Sequence, residues 1–155
     1  MDLSLVIPLY NESESLDELN KSIISVLHKT NIKYELIYVD DGSIDNSWKT
    51  LNKISQKNPK IYACRFQRNY GKSMALSAGF KKCNGKIVIT MDADLQDDPN
   101  EILSLYKMVD KNNYDIVSGW KKKRYDSIIF KNIPSKLFNW AARKAVSYTH
   151  LKLTT

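Results

Sequence analysis

Asp92 and Asp94, in the run Met91-Asp92-Ala93-Asp94-Leu95-Gln96, are the side chains in this sequence best suited to chemistry. Aspartates clustered without a basic neighbour favour a hard divalent cation with oxygen ligands, Mg²⁺ or Mn²⁺. Such a cation would also hold a diphosphate and neutralise it as it leaves. Alternate residues of an extended chain point to opposite faces, so the two carboxylates can share a cation only if the chain turns here. The blander reading is an acidic loop running into a helix. For Asp97 and Asp98 that reading is preferred, with one of them as the N-cap.

A second acidic pair stands in Asp40-Asp41-Gly42-Ser43, with Asp45 close behind. Asp, Gly and Ser dominate ordinary turns. Two acids at the end of a buried strand, however, carry a desolvation and repulsion cost unless something binds between them. Ribose hydroxyls and a base N–H are suitable partners, as acidic groups on ribose are in other nucleotide folds. Gly71-Lys72-Ser73 invites a P-loop reading, which fails because that loop needs its first Gly at position 66, where Phe66 stands. No Gly-x-Gly-x-x-Gly follows the first strand, which argues against a dinucleotide dehydrogenase. His28 and His150 are isolated from any Cys, Asp or Ser at a catalytic spacing, which argues against a His-based nucleophile site.

The elements that must position these residues alternate strand and helix. Leu3 to Ile7 reads as a first strand, a mostly apolar run typical of buried parallel strands. A helix follows from about Ser15, with Glu18 three residues on as a capping box. Tyr34 to Val39, Ile61 to Phe66, Ile87 to Met91 and Tyr114 to Ser118 read as further strands. Helices are expected around Trp48, Leu51 and Ile54, over about 72–82, after Pro99 (face Ile102, Leu105, Met108, Val109), and over about 134–146. The spacings are too long for hairpins, so a mostly parallel α/β sheet with helices on both faces is expected. Ligands of such sheets bind beyond the carboxyl ends of the strands. The polar clusters Tyr10-Asn11-Glu12, Asp40 to Ser43, Arg68 to Lys72 and Asp92 to Asp94 all follow strands, and four such loops converging on one sheet edge make a site.

At 155 residues the chain is about one domain in size, and its 43% hydrophobic and 26% charged residues are those of a globular protein. Cys64 and Cys83 have no paired metal-ligand spacing and sit in apolar stretches, so buried free thiols are expected. Residues 1–120 hold 15 Lys and Arg against 16 Asp and Glu, whereas residues 121–155 hold 9 against Asp126 alone. The whole net charge of +7 therefore belongs to the C-terminal segment. Its block Lys121 to Arg124 suits a phosphate-rich ligand or an anionic membrane surface, and no nucleic-acid partner is expected. The N-terminus has no signal-peptide pattern and no stretch is long enough to span a bilayer. A cytoplasmic protein, soluble or peripheral at the inner face of the membrane, is the expectation.

Taken in order, Leu5-Val6-Ile7-Pro8-Leu9-Tyr10-Asn11-Glu12, Val39-Asp40-Asp41-Gly42-Ser43, Phe66-Gln67-Arg68-Asn69-Tyr70-Gly71-Lys72 and Met91 to Pro99 resemble the family 2 glycosyltransferases of GT-A fold. Within them the resemblance is to the polyprenyl-phosphate branch, the dolichyl- and undecaprenyl-phosphate sugar transferases. The joint occurrence is specific although each motif alone is not. The resemblance covers residues 3 to about 146, so a GT-A (Rossmann-like) domain over 1–146 is expected.

The resemblance implies a nucleotide-sugar donor (a UDP- or GDP-sugar), a polyprenyl phosphate acceptor, inversion at the sugar and a divalent metal. Pro8, Tyr10, Glu12, Asp40 and Asp41 would surround the nucleoside, with Lys72 among the binding residues. Asp92, Asp94 and Gln96 would surround the metal and diphosphate. Asp94, Lys121 and Arg124 are the catalytic candidates. Lys121 stands where the family often has Arg, which keeps the charge but loses the bidentate fork. Arg124, Lys131 and Ser135 resemble the stretch that meets the acceptor phosphate. Residues 147–155 match nothing of the family's continuation and read as a non-native tail on a truncated chain. The alternatives are transfer to a hydroxyl acceptor in polysaccharide synthesis, an inactive nucleotide-binding fragment and, more distantly, an Asp-x-Asp phosphatase.

Overall fold

The computed structural model describes residues 1–112 and 114–119. Eight elements alternate along them: β1 (Leu3–Leu9), α1 (Leu16–Leu27), β2 (Tyr34–Asp40), α2 (Ser47–Lys57), β3 (Ile61–Arg65), α3 (Lys72–Phe80), β4 (Ile87–Thr90) and α4 (Glu101–Asn112). The four strands form one parallel sheet in the order β3-β2-β1-β4. The strand order reverses direction between β1 and β4. Crevices form at such points because neighbouring crossovers leave to opposite faces.

Alternation along β1 divides the core. Leu3, Leu5, Ile7 and Leu9 join Leu16, Leu19, Ile23, Leu51 and Ile102 from α1, α2 and α4 in one large cluster. On the other face Val6, Ile37 and Val39 meet Ala75 of α3. There α3 comes very close: a Cβ added at Gly79 would lie 2.4 Å from Val6 Cγ1. Helices on both faces and a parallel sheet agree with the expectation from sequence.

Pro8 inside a central strand looks anomalous, since proline has no N–H for the ladder. The register explains it. Pairing of β1 with β4 ends at Val6 with Thr90, and Met91 N–H donates to Val6 O at 3.1 Å. Pro8 lies beyond that point, where β4 has already left the sheet, so no ladder bond is lost on that side.

Three expectations are corrected. Ser15 forms no capping box: its backbone is in the right-handed helical region (φ −86°, ψ −26°) and its side chain makes no cap hydrogen bond. A capping side chain needs an extended backbone to reach back to the helix amides. Ser15 instead lies within a turn opened at Glu12, donating its hydroxyl to Glu12 O at 3.0 Å and Oε2 at 3.1 Å. Tyr114 to Ser118 is not a strand. Residues 115–119 flank the short edge of β4 across a cleft of about 520 Å³ with no ladder between them, and Ile116 is 88% exposed. Strand propensity is expressed only where a partner edge is met. The thiols of Cys64 and Cys83 are free as expected but only half-buried, and burial pushes both pKa values up.

The expected helix over 134–146, the basic residues Lys121 to Arg124, Lys131, Ser135 and the tail 147–155 lie outside the described residues. Among the described residues no helix is long and apolar enough to cross a membrane.

Candidate functional site

All four polar loops leave the carboxyl ends of the strands, and three of them are stitched together by side chains bonding to backbone. Asn11, at φ +57°, turns the chain out of β1. Its N–H donates to Ser43 Oγ at 2.9 Å, and its Oδ1 accepts from Ile44 N–H at 2.9 Å. Glu12 N–H donates to Ser47 Oγ at 2.8 Å, and Ser13 N–H to Asp45 Oδ2 at 3.2 Å. Burial pushes the Asp45 carboxyl up, but the donors from Ser47 and Ser13 outweigh it and hold it below its ordinary range. These bonds tie the loop after β1 to the loop after β2.

The neighbouring acids Asp40 and Asp41 have different fates. Asp40 is the last residue of β2 and fully buried. Its Oδ1 accepts from Ser43 N–H at 2.8 Å, and its Oδ2 lies 3.4 Å from Arg65 Nε. Arg65 also donates to Ser43 O at 2.5 Å, so a β3 cation braces the turn. Asp41 reaches the other way. Its two oxygens accept from Tyr70 N–H and Gly71 N–H, each at 2.8 Å, and so pin the third loop. Asp41 thus has both oxygens bonded within the protein, whereas the buried Asp40 Oδ2 has no hydrogen-bond partner and only the Arg65 ion pair beside it. Gly42 makes this approach possible: at φ +73°, an added Cβ would lie 2.4 Å from the Arg68 carbonyl carbon.

The fourth loop bends just after Asp94. Leu95 stands at φ +60°, Asp94 Oδ1 accepts from Gln96 N–H at 3.1 Å, and Asp92 N–H donates to Asp97 Oδ2 at 3.0 Å. Asp98 Oδ1 accepts from Asn100 N–H at 2.9 Å, bracing the turn that precedes α4 at Glu101. Asp92 Oδ1 meets Lys72 Nζ at 2.5 Å, a half-exposed ion pair.

The loops enclose an open cleft of about 280 Å³. Pro8, Tyr10, Glu12, Asp41, Lys72, Asp92 and Asp94 line it together, as the sequence reading grouped them. Asp40 and Gln96 do not line it; Asp40 is fully buried and Gln96 is exposed. Lys121 and Arg124 lie outside the described residues. Asn69, within the expected Arg68 to Lys72 cluster but given no role of its own, also lines the cleft, and Ser47 was missed. The spacing Asn69-Tyr70-Gly71 was the available signal for Asn69, whose Oδ1 accepts from Gly71 N–H at 3.1 Å. No local signal marks Ser47, because its partner Glu12 is 35 residues away.

The lining carries four carboxylates and one ammonium, a net charge of −3. A diphosphate would be repelled by that lining unless a cation accompanied it. Among the described residues no three His, Cys, Asp or Glu side chains form a closed metal cage. Lys72 already sets one positive charge against Asp92. Tyr10, 41% exposed, offers a ring face at the rim.

Comparison with known proteins gives a consistent picture. The family model described as "Glycosyl transferase family 2" matches residues 4–152. An undecaprenyl-phosphate 4-deoxy-4-formamido-L-arabinose transferase of Pseudomonas fluorescens (strain SBW25) is 41% identical over 144 residues, covering 92% of this chain and 42% of that protein. A dodecaprenyl-phosphate galacturonate synthase of Rhizobium johnstonii is 33% identical over 141 residues, covering 90% of this chain and 42% of that protein. The chain thus spans under half the length of these curated relatives. Among solved structures, the mannosyltransferase PcManGT from Pyrobaculum calidifontis, in complex with GDP-Man and Mn²⁺, superposes with a TM-score of 0.57 at 20% identity, covering 69% of this chain and 32% of that one. Residues 1–349 of S. aureus TarS in complex with UDP-GlcNAc give 0.59 at 22% identity, covering 84% and 38%. At these identities the likeness establishes the fold, which is GT-A.

Proposed function

The chain belongs to glycosyl transferase family 2, and on that premise we propose that it moves a sugar from a nucleotide-sugar to the phosphate of a polyprenyl lipid. The observation that carries this reading is the cleft itself, where Asp92 and Asp94 stand beside Lys72 at the carboxyl ends of parallel strands. The acceptor class is supported by relatives whose names share a polyprenyl phosphate while their sugars differ. The neighbours' complexes with GDP-Man and UDP-GlcNAc support a UDP- or GDP-sugar donor.

In this reading an oxygen of the lipid phosphate attacks the anomeric carbon opposite the diphosphate. The bond from that carbon to the diphosphate oxygen breaks, and the configuration inverts. A phosphate acceptor is already anionic near neutral pH, so the demand for a strong general base is low. Catalysis then rests on positioning and on charge. Mg²⁺ or Mn²⁺, when bound, supplies the positive charge that stabilises the departing diphosphate. Asp92 and Asp94 would hold it, with Gln96 two residues further along the same loop. Glu12 and Asp41 accept from ribose hydroxyls or a base N–H, and Tyr10 packs against the base. Lys72 moves from Asp92 to a phosphate oxygen. Lys121 and Arg124 meet the diphosphate and the acceptor phosphate, and the basic segment around them holds the protein at the cytoplasmic face of the membrane.

Binding of UDP and GDP, each with and without Mn²⁺, tests the donor half. Asp94→Ala should remove the Mn²⁺-dependent part of the affinity; unchanged affinity in the presence of Mn²⁺ would sink the assignment. Transfer from a labelled donor to polyprenyl phosphate tests the acceptor. Product on a hydroxyl acceptor alone, or nucleotide binding with neither transfer nor donor hydrolysis, would replace the lipid-phosphate reading.

A further inference from the structure

A second polar groove lies between α1 and α2, at the end of the sheet opposite the cleft. It has a volume of about 670 Å³, and Lys21, Lys53, Lys57 and Lys60 line it with a single carboxylate, Asp17. None of the four ammonium groups is in an ion pair among the described residues. Residues 1–120 hold 15 basic and 16 acidic side chains, so four unpaired lysines in one groove are a local concentration rather than a general bias.

The floor of the groove carries an independent signal. Tyr34, the first residue of β2, lines it and is 3% exposed, yet its buried hydroxyl has no hydrogen-bond partner. Buried hydroxyls are normally bonded. Tyr38, two residues along the same face, follows the rule by donating to Asn20 Oδ1 at 3.3 Å. Burial pushes the Tyr34 pKa up, so the group stays a neutral O–H donor near pH 7. Lys60 Nζ lies over the Tyr34 ring, 4.3 Å from its centroid. Ile24, Ile54 and Pro59 supply apolar walls that strengthen any charge interaction inside.

We propose that this groove is a binding site for a phosphate group, with the four lysines supplying charge and the Tyr34 hydroxyl donating to one phosphate oxygen. Lysines act as point charges suited to a multivalent oxyanion. Lysines near a helix C-terminus also offset its dipole. That role accounts for Lys57 in the last turn of α2, but not for Lys21 and Lys53 within the helices, nor for the orphan hydroxyl. The site is separate from the donor cleft and does not depend on the proposed transfer reaction. The phosphate could belong to a lipid headgroup or to a soluble compound.

Residue-resolved NMR titration of the full chain with pyrophosphate tests this, beside flotation with vesicles of phosphatidylcholine with or without phosphatidylglycerol. Saturable shifts are expected at Tyr34 and over residues 53–60. They should weaken at least tenfold in the double variant Lys53→Glu, Lys57→Glu and at least threefold in Tyr34→Phe, with Mn²⁺-dependent nucleotide binding unchanged in both. Phosphatidylglycerol-dependent flotation lost in the double variant identifies a lipid headgroup as the source. Pyrophosphate binding without flotation identifies a soluble phosphate. Absence of saturable shifts in the groove overturns the proposal. So does a Tyr34→Phe chain that is more stable and binds pyrophosphate as before, since the hydroxyl would then be only a packing defect.

Discussion

Replacing Gly42 with alanine asks whether close approach of two loops, rather than turn conformation alone, builds the cleft. Gly42 is at φ +73°, and its added Cβ would lie 2.4 Å from the Arg68 carbonyl carbon, 2.7 Å from Cα and 2.8 Å from O. The left-handed conformation costs an alanine about 1–2 kcal/mol. Overpacking against backbone, which cannot rotate away, adds about 1–3 kcal/mol. Gly71 is the internal control. It has φ +92° and ψ 154°, but a Cβ there meets nothing within 4 Å. Gly71→Ala should therefore carry conformational strain only, about 1–3 kcal/mol. Urea denaturation of the wild type and both variants measures the difference, with equal m-values required for a direct comparison. The summed cost of about 2–5 kcal/mol at Gly42 against about 1–3 kcal/mol at Gly71 makes Gly42→Ala the less stable by about 1–2 kcal/mol, and it should also weaken nucleotide binding, because Asp41 holds Tyr70 and Gly71 across that contact. If Gly42→Ala is no less stable than Gly71→Ala, the loops can move apart freely and the close-approach argument fails.

Three further outcomes are expected. Asp41→Asn places an amide donor against a backbone N–H; a loss of about 1–3 kcal/mol in urea denaturation is predicted, and a chain of unchanged stability would count against the pinning role. For Glu35, burial raises the carboxyl pKa, but hydrogen bonds from Ser4, Asn84 and Gly85 outweigh it and leave the group below its ordinary range. A depressed folded pKa means stability that is present above the unfolded value of about 4.3 and lost as pH falls through the folded one. The stability gap between wild type and Glu35→Gln should therefore narrow as pH drops below about 4, and a constant gap in melts across pH would contradict this. Lys72→Ala removes an ion pair whose side chains are 58% and 36% exposed, so stability should change by less than about 1 kcal/mol. Calorimetry should record tighter Mn²⁺ binding without nucleotide, because Asp92 is released, and weaker nucleotide binding with Mn²⁺. Weaker Mn²⁺ binding in the variant would refute competition between the two cations at Asp92.

The sequence by itself determined the order of elements, the parallel sheet and the convergence of four loops. Each rests on a local cause: apolar periodicity marks the buried face of a strand or helix, and turn residues after each strand mark where the loops begin. It also grouped Glu12, Asp41, Asp92 and Asp94, because residues following parallel strands emerge at one edge whatever the packing details. Tertiary structure decided what those residues do to one another. Asp40 and Asp41 are adjacent and chemically identical, yet one is sealed beneath the turn with Arg65 while the other bonds a loop 29 and 30 residues away. The ammonium that meets Asp92 comes from Lys72, 20 residues earlier. The capping box at Ser15 and the strand at 114–118 failed for the same reason. Propensity and motif state what a segment can do in isolation, whereas a backbone dihedral or a ladder partner is set by chain far away in sequence.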